Sequence, residues 1–294
     1  MQNPYGGNSM VAPLRRVLLC APGTAGWTAE DNRSRWRDLG YLRRPEPGQA
    51  RREHEELCAA LEAGGCELCF LTASADLTMD AVYVHDASLV TSFGAVCLRM
   101  GKAARALEPQ RHRCYYAEAG IPVLGEVVPP GTAEAGDIVW LDEATLIVGR
   151  GFRTNTSGIE QLKELLSPQG VSVIALPLPY GAGPDSCLHL MSLLSMLDER
   201  SALVDLPLLA VETVELLRNR GIRLVEIDYA ERATLACNVL ALGKGRLIAL
   251  EQNPRTNKRL RDLGYQVVTF TGAEIGINGG GGPTCLTRPL LRGD

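Results

Sequence analysis

A five-fold internal repeat constrains this chain more than any other feature. Five times a helical pattern ends in glycine and runs into a short apolar strand: "HEELCAALEAGG-CELCFL", "RHRCYYAEAG-IPVLGE", "IEQLKELLSPQG-VSVIAL", "VETVELLRNRG-IRLVEI" and "NKRLRDLG-YQVVTF". The glycines fall at 64, 120, 170, 221 and 264, with separations of 56, 50, 51 and 43 residues. Glycine is expected just past a helix because it enters the left-handed region without steric cost. Between copies lie strand–turn–strand patterns, "DIVWLDEATLIVG" (137–149) around Asp142–Glu143 and "NVLALGKGRLIAL" (238–250) around Gly243-Lys244-Gly245. The unit is thus strand, strand, helix, strand. The two chain ends, "LRRVLLC" (14–20) and "CLTRPLL" (285–291), complete the first unit. Closing the ring hides sheet edges. The expected fold is α/β: a five-fold pseudosymmetric α/β propeller forming a single domain over 1–294, with 1–12 a flexible lead.

The composition suits such a core. Of 294 residues, 46% are hydrophobic and 22% charged, a globular balance. A net charge of −4 offers no basic footprint for nucleic acid. No stretch reaches the roughly 18–20 apolar residues of a bilayer span. "VAPLRRVLLCAPG" is interrupted by Arg15 and Arg16 and reads as a first strand, not a signal sequence. A cytoplasmic protein without membrane or nucleic-acid partners is expected. The nine cysteines are odd in number and lack a secretory context, so most are read as small buried hydrophobes. Cys66 and Cys69 form a C-x-x-C, but no second pair or paired histidines complete a metal site.

Polar residues recur where each repeat begins its hairpin. Asp86 lies 22 after Gly64, Glu134 14 after Gly120, His189 19 after Gly170 and Cys285 21 after Gly264. From Gly221, Cys237 and Asn238 are 16 and 17 on. Equivalent positions in a ring converge near its axis. A thiol, an imidazole and two carboxylates facing one another supply a nucleophile, a proton carrier and charge to hold a cation. Of the four histidines, His54 and His112 fall on charged helix patterns, and His85 is expected to face away from Asp86. His189 is therefore the main candidate for proton transfer.

Four segments, in order, resemble the guanidino-group-modifying superfamily, the penteins, and most closely its dimethylarginine dimethylaminohydrolase branch: "YVHDASLV", "GTAEAGDIVWLD…VGRGFRTNTSGIEQL", "LHLMS" and "GGGGPTCLT". "NPRTNKRLRDLGYQVV" is similar to that family's last helix and strand. The resemblance implies Cys285 as nucleophile, His189 as general acid and base, and Glu134 orienting His189 or touching substrate. It further implies Asp86 holding a guanidinium, and Arg105 and Arg153 binding the substrate carboxylate, often a bidentate match. No cofactor or metal is implied. The partner is a small guanidino substrate, and a homodimer is left open. The chain departs from the pattern at His85, where an acid is expected, at "HLM", which lacks an acid two after histidine, and in a long segment, 23–48, whose Trp27, Trp36 and Tyr41 could cap the site.

The implied reaction is hydrolysis through a covalent thiouronium on Cys285 to a ureido product such as citrulline. An amidinotransferase shares that intermediate, and a non-catalytic binding protein shares the fold. A cysteine peptidase lacks support in any local motif. Cys237 is expected to line the pocket wall. The run Gly279–Gly282 is expected to let the backbone turn closely and deliver Cys285 to the axis.

Overall fold

The computed structural model describes residues 5–184 and 186–293. Its elements follow the repeat in chain order. The first unit holds β1 (Leu14–Leu19), the short α1 (Glu30–Ser34), α2 (Pro47–Ala63) and β2 (Glu67–Phe70). The second holds β3 (Ser88–Thr91), β4 (Gly94–Cys97), α3 (Glu108–Glu118) and β5 (Val123–Glu126). Next come β6 (Ile138–Asp142), β7 (Thr145–Arg150), α4 (Thr156–Leu166) and β8 (Ser172–Pro177). The fourth has β9 (Leu194–Asp198), β10 (Ser201–Val204), α5 (Val211–Asn219) and β11 (Arg223–Glu226). The fifth has β12 (Leu240–Gly243), β13 (Arg246–Leu250), α6 (Pro254–Asp262) and β14 (Gln266–Phe270), and β15 (Arg288–Arg292) ends the chain.

Among the described residues these strands form five three-stranded sheets, one per unit. In four of them a hairpin pairs two strands antiparallel, in the first the two chain ends do so, and in each the strand after the helix adds parallel to the middle one. The first sheet is closed by the chain ends: β15 pairs antiparallel with β1, and β2 lies on the other side. The last strand begins at Arg288, not at Cys285; Cys285 sits in the turn before it. First strands of neighbouring sheets touch, β9 with β12 and β15 with β3. They wall the ring's centre, where Met191, Met196, Val239 and Pro289 leave a cavity of only about 10 Å³. The centre is packed, and the chemistry lies at one end of it.

The glycine reading needs one shift. Gly120, Gly170, Gly221 and Gly264 have φ of 67°, 74°, 71° and 94°, but after α2 the left-handed residue is Gly65, at 85°. The N-terminal expectation is corrected for residues 5–12; residues 1–4 lie outside the described residues. Gly6 bonds Leu290 and Arg292 through backbone groups. Asn8 is buried, giving Nδ2 to the Glu143 carbonyl and accepting the Ser92 N–H. This lead extends the closing sheet because β15 would otherwise leave an unpaired edge. The helix-face reading of two histidines also fails: His54 and His112 are buried, and His112 Nδ1 meets Ser88 Oγ at 2.9 Å.

Candidate active site

Each axial residue stands in the short turn just before its sheet's first strand. Asp86 precedes β3, Glu134 precedes β6, His189 precedes β9, Asn238 precedes β12 and Cys285 precedes β15. The turns are bound to one another. Cys285 O accepts the His85 N–H at 3.1 Å, and Asp86 O accepts the Ala135 N–H at 3.0 Å. Asp137 Oδ1 accepts the Leu190 N–H at 3.0 Å while its Oδ2 accepts from Thr154 Oγ1 at 2.6 Å. Asn155 caps α4 through Gly158 N and also accepts the Thr132 N–H, fixing the loop that carries Glu134. A Cβ on Gly158 would lie 2.0 Å from Thr132 O, so only glycine admits this approach.

Cys285, His189 and Asp86 line one narrow cleft of about 40 Å³, together with Asp80, Tyr83, Lys102, Arg105, Arg153 and Cys187. It opens into an outer cavity of about 900 Å³ that shares Lys102, Arg153, Cys187, Gly279 and Gly280. Glu134 does not reach the cleft. It is fully buried behind His189, whose Nε2 lies 2.8 Å from Glu134 Oε2. Glu134 Oε1 takes the N–H groups of Gly101 and Lys102 at 2.9 and 3.1 Å. The other ring nitrogen, Nδ1, faces Cys187 Sγ at 3.6 Å and Asp86 Oδ1 at 3.9 Å. Gly136 makes room for it, since a Cβ there would sit 2.3 Å from Nδ1.

The charges are set by these contacts. Burial opposes the His189 imidazolium, but Cys187, Asp86 and Asp137 outweigh it and raise its pKa well above the ordinary value. Burial would raise Glu134, yet its hydrogen bond to His189 and the His189 charge bring it down to about 2. His189 therefore rests as an imidazolium against a carboxylate. Burial, then the Asp86 charge, pushes the Cys285 thiol up to about 11, against a smaller opposing effect of His189. Asp86 is buried too, but Arg105 and His189 outweigh the burial and hold it below the usual carboxylate range. Asp86, Glu134 and His189 bring potential metal-ligating atoms within 4.8 Å of one another. Their oxygens already accept from Arg105, Gly136 N–H, Gly101 N–H, Lys102 N–H and the imidazole.

Arg105 requires a correction. It was expected to bind a substrate carboxylate, but four of its N–H donors are committed: Nε and Nη2 to Glu108 at 2.9 and 2.7 Å, Nη2 to Tyr83 O at 2.8 Å and Nη1 to Asp86 Oδ2 at 2.6 Å. It positions Asp86. Arg153 differs: it is buried, its nearest acid is Glu134 at 3.7 Å, and it lines both cavities. Cys237 turns away and gives its Sγ to Leu203 O, while Asn238 takes the axial place and donates to Cys285 Sγ at 3.2 Å. The 23–48 segment caps the outer cavity only through Arg37–Gly40; Trp27 and Tyr41 are core residues in edge contact. The glycine run is a matter of closeness. Only Gly280 has positive φ, 83°, whereas a Cβ on Gly279 would lie 2.0 Å from Tyr83 Oη and one on Gly281 2.5 Å from the Tyr83 ring. Sequence reading missed Asp80, Lys102 and Cys187, which have no repeat-equivalent partner; Asp80 Oδ2 accepts from Lys102 Nζ at 2.5 Å.

The sequence profile of the arginine deiminase family matches residues 78–221 and 207–292. The chain belongs to that family. It is 31% identical to the N(G),N(G)-dimethylarginine dimethylaminohydrolase of Streptomyces coelicolor over 75% of this chain and 78% of that one. It is 28% identical to the uncharacterized protein YkgA of Bacillus subtilis over 96% of this chain and 93% of that one. A crystal structure of a dimethylarginine dimethylaminohydrolase adduct superposes with a TM-score of 0.75 at 25% identity, covering 94% of this chain and all of that one. The fold is the pentein propeller, and the chain is a cysteine-dependent guanidino hydrolase.

Proposed function

We propose that this chain hydrolyses the guanidinium C–N bond of arginine or a methylated arginine, releasing ammonia or a methylamine and leaving citrulline, with Cys285 as nucleophile. One observation carries the reading: Cys285, His189 and Asp86 line the same narrow cleft of about 40 Å³, with a larger cavity of about 900 Å³ outside for the amino-acid end. Asp86 holds the guanidinium and Arg153, whose protein ion pair is the 3.7 Å contact with Glu134, takes the carboxylate from the wall of both cavities. The nine cysteines are all unpaired, which suits a reducing compartment; we read the protein as cytoplasmic.

The steps follow from the resting charges. The free thiol is protonated at neutral pH. A bound guanidinium beside it favours the thiolate, and the thiol proton leaves to solvent. Sulfur attacks the guanidinium carbon. The imidazolium of His189 gives its Nδ1 proton to the departing amine, because Nε2 is held by Glu134. The C–N bond breaks and an S-alkylthiouronium remains on Cys285. Neutral His189 then takes a proton from water as the water oxygen adds to the same carbon. Collapse breaks the C–S bond and leaves the C=O of the ureido product, the hydroxyl proton passing to the departing thiolate so that Cys285 returns as the thiol.

The test is ureido-product formation from arginine, monomethylarginine, dimethylarginine and short guanidino acids, with Cys285→Ser alongside. Turnover by the wild type and none by the serine variant supports the reading, and the preferred compound names the substrate. No turnover of any of them and no mass adduct on Cys285 overturns it.

A further inference from the structure

Four axial turns supply the groups used above; the fifth, before β12, carries Asn238. The residue is 6% exposed, and the orientation of its amide is fixed by its neighbours. Oδ1 accepts the Thr284 N–H at 3.0 Å. A backbone N–H can only donate, so the oxygen must be on that side. Nδ2 then faces Cys285 Sγ at 3.2 Å. The amide is also held against the glycine run, since a Cβ on Gly282 would lie 2.6 Å from Asn238 Cγ and Oδ1.

We propose that Asn238 is a catalytic residue, whose Nδ2–H bond stabilises the Cys285 thiolate both before it attacks and when it leaves. A hydrogen bond to sulfur is strongest when the sulfur is charged. It forms fully with the thiolate, weakens in the thiouronium, and is restored as the tetrahedral adduct expels sulfur. Around the same sulfur stand Asp86, Cys187 and Tyr83, which oppose the thiolate or add no positive charge, and His189, which favours it. Asn238 is the donor held against the sulfur from the fifth sheet. The inference rests on Cys285 being the nucleophile.

The experiment is the pH dependence of Cys285 alkylation by iodoacetamide, read by peptide mass spectrometry, beside steady-state kinetics for Asn238→Ala and Asn238→Asp. The aspartate keeps an acceptor for the Thr284 N–H and so preserves the loop, but offers no donor to sulfur. In both variants the alkylation midpoint rises by about one pH unit or more, and kcat falls roughly tenfold or more with KM within about twofold, as for the loss of a hydrogen bond to a charged group. An unchanged midpoint in both variants overturns the proposal even if kcat falls, because Asn238 would then act only by anchoring Thr284. Alkylation needs no substrate, so failure here is separable from failure of the hydrolase reading, which the wild type and Cys285→Ser test.

Discussion

Replacing Glu134 by glutamine isolates the part of the site that decides proton transfer. The glutamine Oε1 can still accept from Gly101 and Lys102, the two backbone donors at 2.9 and 3.1 Å. Its amide nitrogen must then face His189 Nε2, where the carboxylate now sits at 2.8 Å. Two N–H donors cannot face each other, so Nε2 gives up its proton and the ring becomes neutral with the proton on Nδ1. The raised pKa of His189 means the imidazolium persists at neutral pH and is lost as pH rises through that value. Any activity that needs it falls on the alkaline side. Loss of one hydrogen bond to a charged group is worth roughly 1.5–3 kcal/mol, which lowers kcat about 10- to 150-fold and moves the alkaline limb down by about 1–2 pH units. NMR can read the same group directly. Burial pushes His54 down to about 4 and His85 and His112 to about 3, so above pH 5 His189 titrates alone among the four. Wild-type kcat in Glu134→Gln, with an unmoved His189 titration, refutes the argument.

Two further outcomes follow from the same charges. Cys285 in the free enzyme should react with iodoacetamide with a midpoint near about 11, and a bound unreactive guanidinium should lower that midpoint while the neutral ureido product should not; equal effects of the two ligands would remove the charge-triggered step. Arg153→Ala should raise KM for substrates with a carboxylate far more than it lowers kcat. Arg105→Met should instead lower the melting temperature, because Asp86 and Glu108 would stay buried without their partner, a loss of about 3–5 kcal/mol; the reverse pattern would return Arg105 to the substrate.

The ring was legible because its signals repeat. Helix, glycine and strand recur at similar spacing, and so does the residue before each hairpin, which exposed Asp86, Glu134, His189 and Cys285 together. Asn238 was visible at the fifth such position, but not that it and not Cys237 faces the axis; a turn residue's direction depends on the backbone, here bent by Leu235 at φ 63°. Arg105 was misread because its fate is decided by two buried acids, one of them distant in sequence. His112 was misread because the buried side of α3 is polar, with both His112 and Tyr116 bonded to Ser88 Oγ, and hydrophobic periodicity cannot detect a polar core. Asp80 and Lys102 meet across 22 residues with no repeat to mark them.

The arrangement of charge also ties the reactivity of the thiol to the charge of its ligand. In the resting cleft the nucleophile is neutral and the acid is already protonated, so neither proton has to pass between Cys285 and His189 before substrate arrives. The cation that Asp86 attracts is the same one that favours the thiolate, so a ligand lacking that charge leaves the thiol protonated and unreactive. Hydrolysis converts the cation into a neutral ureido group. The product therefore withdraws the charge that made its own precursor reactive, and sulfur returns to the protonated state that burial and Asp86 prefer. Reverse attack would need a thiolate with no cation beside it, in a cleft where that ion is disfavoured.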